Sequence, residues 1–91
     1  MDITAIKIRK ILDCGRLRGI VSVTIDDAFA VHDIKIVQGD RRLFVAMPSR
    51  RDENGEYRDI VHPMTAEVRD EMEKQILHAF EQERSRSGYQ Q

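Results

Sequence analysis

Hydrophobic and polar residues alternate with a period of two along the first half of the chain, then take up a helical period after Thr65. In Ile3 to Leu12, Ile6 and Ile8 point one way and Lys7 and Arg9 the other, as in a half-buried strand. The phase slips at Lys10-Ile11, so a bulge is expected there. Asp13-Cys14-Gly15 turns the chain. Arg16 to Asp26 reads as the second strand, with Leu17, Val21, Val23 and Ile25 on one face and Gly19 among them; Arg18, Ser22 and Thr24 lie on the other. Asp26-Asp27 is a tight turn, and Phe29 to Val37 a third strand. Gln38-Gly39-Asp40 closes it, and Arg41-Arg42 leads into a fourth, buried-looking strand, Leu43 to Met47. Connections this short make an antiparallel meander the natural pairing.

The stretch from Leu43 to Met64 organises the rest. Pro48 and Ser49 turn the chain outward, into Arg50-Arg51-Asp52-Glu53-Asn54-Gly55-Glu56 with Asn-Gly as its turn. Tyr57 to Val61 reads as the return strand, which His62-Pro63 ends. Beyond it, Val68, Met72, Ile76, Ala79 and Phe80 form one apolar stripe. Thr65 fits as the N-cap, and Glu67 and Asp70 suit the start of the helix, where the dipole favours acids. The helix is expected to fade near Arg84 to Arg86. Phe29, Phe44 and Phe80 all read as core. The expected fold is α+β: an antiparallel four- to five-stranded meander sheet with one C-terminal amphipathic helix. One domain is expected over residues 1–86, with 87–91 as a frayed tail. The sheet face away from the helix carries Lys7, Arg9, Arg18 and Thr24, and is expected to be wet or at an interface.

Composition narrows the function classes. The chain has 91 residues, of which 41% are hydrophobic and 34% charged, which fits a globular domain rather than a disordered or membrane protein. The N-terminus MDITAIKIRK has no apolar h-region, so a cytoplasmic location is expected. A domain this small buries only about 60–65% of its unfolded surface, so pairing with a second copy would stabilise it. The formal net charge is −1, so any phosphate binding must be local. With Cys14 as the one cysteine, no internal disulfide can form.

Arginine is the residue to follow. Arg41, Arg42, Arg50, Arg51 and Arg58 fall close together, interleaved with Asp52, Glu53 and Glu56. A planar guanidinium contacts two phosphate oxygens at once, so adjacent arginines on a projecting tip favour an anionic partner. The same charges also suit a solvated hairpin that keeps an edge from aggregating. His32-Asp33 and Asp59 with His62 are the acid–histidine pairs, but they lack HxH or HExxH spacing; His32 is expected to bond across the sheet and His62 to pack at the strand–helix junction. No metal or cofactor is expected. No GxSxG elbow and no Gly-rich phosphate loop is present, so an enzyme is not expected. The helix is acidic on its outer face through Glu67, Asp70, Glu71 and Glu73, with Arg69 an exception near its start.

Three runs carry a resemblance: Phe29-Ala30-Val31-His32-Asp33-Ile34, Leu43-Phe44-Val45-Ala46-Met47-Pro48-Ser49, and Gly55-Glu56-Tyr57-Arg58-Asp59-Ile60-Val61-His62-Pro63. With them the chain resembles the SpoVG family, the stage V sporulation protein G or septation regulator proteins of bacteria, from Met1 to about Glu83. The resemblance implies a homodimer built through sheet edges. It also implies a site-specific DNA-binding, and RNA-binding, regulator of gene expression linked to sporulation, septum formation and virulence. The implied contacts are Arg50 and Arg51, in the basic loop after the MPS segment, with Arg58 from the GEYRD run. Arg69 resembles a family helix arginine. The family commonly has Lys-Arg where this chain has Arg50-Arg51, and here Asp52 and Glu53 follow directly. DNA, RNA and a second copy are the expected partners, with no membrane and no small-molecule substrate. The other reading is a protein-interaction module of the division or sporulation machinery, favoured by the near-zero net charge and the acidic helix face.

Overall fold

The computed structural model describes residues 2–86. Four strands, β1 (Ile3–Ile11), β2 (Leu17–Ile25), β3 (Phe29–Gln38) and β4 (Leu43–Ala46), pair antiparallel in chain order. Two short strands, β5 (Ser49–Arg51) and β6 (Tyr57–Asp59), form a separate hairpin, and α1 (Ala66–Arg86) follows. The fold is α+β, as expected. Residues 87–91, read as a frayed tail, lie outside the described residues.

Local chemistry sets the turns. Asp26 and Asp27 both take φ +54°, left-handed conformations within the three-residue turn between the paired Ile25 and Phe29. Ala28 N–H closes that turn on the Ile25 carbonyl at 2.9 Å. Thr4 Oγ1 accepts from Asp27 N–H at 3.0 Å, tying β1 to the same corner. At the start of α1, Thr65 Oγ1 accepts from Val68 N–H at 3.1 Å, the N-cap bond that serine or threonine supplies to an orphan donor.

One face of the sheet holds the core. Met72, Ile76 and Phe80 recur every four residues along α1, and all three are buried. They pack on Val21, Val23, Ile34, Ile36 and Val45, with Ile6 and Ile8 packed at the margin. The Phe80 ring packs directly on Gly19, where a Cβ would stand 2.7 Å from Phe80 Cε1. Glu73 covers the β4 edge, accepting from Val45 N–H at 3.0 Å and pairing with Arg42 at 3.2 Å. A free edge N–H is thereby capped by a side chain.

Four expectations are corrected. β1 has two irregularities, one between Ile3 and Ala5 and one between Ile8 and Lys10, so the slip expected at Lys10-Ile11 falls at Arg9. A register shift between Leu17 and Gly19 sets Leu17 opposite Val37, on the face away from Val21. Phe44 also pairs with Val37 and turns its ring to that outer face, packing over Gly39; Phe29 is 72% exposed at the end of β3, so of the three phenylalanines only Phe80 is core. The return strand ends at Asp59, leaving Ile60 66% exposed and Val61 38% exposed.

Candidate nucleic-acid interface

Geometry at the hairpin follows from its register. Arg50 stands opposite Arg58, Arg51 opposite Tyr57, and Ser49 opposite Asp59. Opposed residues share a face and neighbours alternate, so Arg50 and Arg51 project from opposite faces. Arg50 shares its side with Arg58, and Arg51 with the exposed ring of Tyr57.

Asp52 organises the tip. Its Oδ1 accepts from Asn54 N–H at 2.9 Å and Glu56 N–H at 3.0 Å, and its Oδ2 accepts from Arg58 Nε at 2.8 Å. Asp52 N–H bonds the Glu56 carbonyl at 2.8 Å, and Gly55 takes φ +83° to close the loop. The Arg58 guanidinium, followed by the backbone N–H of Glu56, holds the Asp52 carboxyl below the usual carboxylate range. The same bond occupies Arg58, which also approaches Glu56 at 3.7 Å. Arg50 and Arg51 form no ion pair among the described residues. The Arg51 guanidinium lies over Gly55, 3.4 Å from where a Cβ would be.

Arg69 stands at the foot of the hairpin. It lines a shallow concavity of about 550 Å³ with Tyr57, Arg58, Asp59 and His62. The four arginines read from the sequence therefore gather at one end of the molecule. Arg50, Arg51 and Arg69 form no ion pair among the described residues, with Arg69 on the first turns of α1, and Arg58 is latched by Asp52. Arg42 stands apart, held by Glu73. The hairpin as a whole carries three arginines against four carboxylates, so its net charge does not favour phosphate, and any such contact would depend on where the guanidinium groups point.

The histidines have local partners. His32 Nδ1 lies 2.9 Å from Ser22 Oγ, across the sheet as expected, and His62 Nδ1 donates to the Pro63 carbonyl at 2.9 Å. No group of three or more His, Cys, Asp or Glu able to hold a metal occurs among the described residues. Likewise, no helix there is long and apolar enough to cross a membrane. The role of Asp52 was missed by sequence reasoning. The signal was present: an aspartate two residues before Asn-Gly is the spacing of an Asx turn.

An antiparallel sheet covered on one face by a single helix, with a separate arginine-bearing hairpin, defines a small α+β domain. The chain belongs to the SpoVG family, whose model matches residues 1–82. A protein of Desulforudis audaxviator named "Putative septation protein SpoVG" is 58% identical over 81 residues, covering 89% of this chain and 92% of that relative. Proteins of the same name from Lachnospira eligens and Heliobacterium modesticaldum are 52% and 50% identical, each covered over 92% of its length, with 89% and 90% of this chain aligned.

Proposed function

We propose that this chain is a dimeric nucleic-acid-binding regulator of gene expression acting in sporulation and septation, and that it contacts phosphates through the β5–β6 hairpin. The observation that carries this reading is the pair of unpaired guanidinium groups, Arg50 and Arg51, on a projecting hairpin whose tip is fixed by Asp52. The septation names of the relatives support the process. Two hairpins in a dimer set a fixed spacing, the geometry by which paired reading elements match two half-sites. Arg58 contributes once phosphate displaces Asp52, and Arg69 backs the hairpin at its foot. Arginine-to-phosphate contacts position the protein, and sequence preference then comes from base edges or duplex shape.

The test is Arg50→Ala with Arg51→Ala. The double variant is expected to bind DNA and RNA more weakly across all sequences and with a flatter salt dependence. Wild-type affinity in that variant would remove the hairpin from the interface.

A second reading has its own observation. Ile60, Val61 and Met64 are 66%, 38% and 86% exposed in one short segment beside the hairpin. Exposed apolar side chains of this kind mark protein contacts. In that reading the chain is an interaction module of the division or sporulation machinery with nucleic-acid binding incidental. Binding that vanishes at physiological salt, with a protein partner retained, would favour it.

A further inference from the structure

The net charge of −1 conceals a separation of charge between two layers. Strands β1 to β4 carry Lys7, Arg9, Lys10, Arg18 and Lys35 against a single carboxylate, Asp33. Helix α1, on the other side of the sheet, carries six carboxylates against four lysines and arginines. Register fixes where the strand charges point. Lys7 pairs with Ser22, and Lys10 and Lys35 flank Ile20 from either side. Their neighbours Ile6, Ile8, Ile11, Ile34 and Ile36 pack toward the helix, so Lys7, Lys10 and Lys35 face away from it. None of the five cations forms an ion pair among the described residues.

This face also has fixed polar geometry. Arg9 Nε donates to Ser22 Oγ at 3.1 Å, and Ser22 Oγ meets His32 Nδ1 at 2.9 Å. Arg9 and His32 are thereby held on either side of a buried serine, with the terminal guanidinium nitrogens of Arg9 free of that bond. Between the charges run half-buried apolar side chains, Ile20, Leu17, Val37 and Phe44. Lys10 and Lys35 stand two strand spacings apart, about 10 Å.

We propose that this open sheet face is a second nucleic-acid surface, which takes a single-stranded chain. Phosphates would lie on Lys7, Arg9, Lys10 and Lys35, and bases on the apolar row that ends at Phe44. The proposal rests on the nucleic-acid-binding reading above, but not on the hairpin. Charge complementarity selects the partner, since Lys7, Arg9, Lys10 and Lys35 come onto this face and the four strands carry a single carboxylate. The flat, partly apolar face selects the single strand: a sheet backed by helix can splay bases across its open side, whereas a duplex keeps its bases stacked inside.

The experiment is fluorescence anisotropy with single-stranded DNA, single-stranded RNA and the matching DNA duplex, from about 50 to 200 mM salt. It compares wild type, the triple variant Lys7→Gln, Lys10→Gln, Lys35→Gln, and the double variant Arg50→Ala, Arg51→Ala. The three lysines are exposed, so the triple variant is expected to keep its fold, checked by its circular dichroism melt. The expected result is a salt slope for single strands shallower by about 2 in the triple variant, from about 0.7 per phosphate contact. A triple variant that keeps the wild-type slope and affinity overturns this surface while leaving the hairpin standing. A double variant that binds normally while the triple variant fails removes the hairpin and keeps the sheet face. Duplex binding as tight as single-strand binding, with the same loss in the triple variant, overturns the single-strand assignment. No binding by the wild type overturns both.

Discussion

Gly19→Ala tests how closely α1 docks on the sheet. The added Cβ would stand 2.7 Å from Phe80 Cε1, 3.2 Å from Cδ1 and 3.3 Å from the Lys10 carbonyl oxygen. Phe80 is fully buried, so its ring cannot swing into solvent to make room. Extra volume in a packed core of this kind costs about 1–3 kcal/mol. Alanine returns about 0.5–1 kcal/mol, because glycine loses more backbone freedom than other residues when held in a strand. The expected net loss is about 1–2 kcal/mol, or a melting temperature lower by about 5–15 °C in a domain of this size. Thermal and urea unfolding followed by circular dichroism measure it, and the urea slope is expected to stay unchanged. Phe80→Leu removes the ring atoms that cause the clash. Adding it to Gly19→Ala should therefore cost less than the two single changes predict, with a coupling of about 0.5–3 kcal/mol. A neutral or stabilising Gly19→Ala, or strictly additive effects, would refute the contact.

The other predictions concern edges and the hairpin. Glu73→Ala leaves the Val45 N–H without its acceptor and exposes the β4 edge. A loss of about 1–3 kcal/mol in urea unfolding is expected, since an orphaned donor loses its bond to a charged acceptor; an unchanged midpoint would contradict it. Asp52 has a depressed carboxyl, held by Arg58 and the loop N–H groups. Its contribution is complete above the ordinary carboxylate value of about 3.9 and is lost as pH falls through the lower folded value. NMR shifts of the Asn54 and Glu56 amides are expected to titrate below that ordinary value, and a midpoint at or above it would contradict the latch. Asp52→Asn also frees Arg58, so this variant is expected to bind nucleic acid with a steeper salt slope than wild type, provided the hairpin holds its shape.

What the sequence made legible is what local pattern controls. Ile6 and Ile8 against Lys7 set the face of β1, the two aspartates at 26 and 27 set the turn between β2 and β3, and the four-residue spacing of Met72, Ile76 and Phe80 set the buried stripe of α1. The bulges were harder to place. Leu17 matches Val21 in phase, and only the extra residue at Arg18 turns it to the other face. Phe29 has core chemistry but lies where the helix does not reach, which alternation along a strand cannot reveal. At the candidate site, the arginines were legible as residues. Their division was not: it depends on the pairing of Arg50 with Arg58 and on the reach of Asp52 across six positions to Arg58. Similarly, the basic residues of the strands look scattered in sequence and come onto one face only through the register.

Binding of nucleic acid through guanidinium groups gathered on the hairpin has a direct electrostatic signature. The most direct measurement is the salt dependence of wild-type binding to random-sequence duplex DNA by fluorescence anisotropy, with Arg50→Ala, Arg51→Ala alongside. Arg50 and Arg51 from two protomers would contribute about −4 to the log–log slope, at about 0.9 per phosphate contact. Wild-type binding is expected at about 50 mM salt with at least that slope, and the double variant's slope is expected to be shallower by about that amount. No binding at low salt, or the same slope in both proteins, would contradict it.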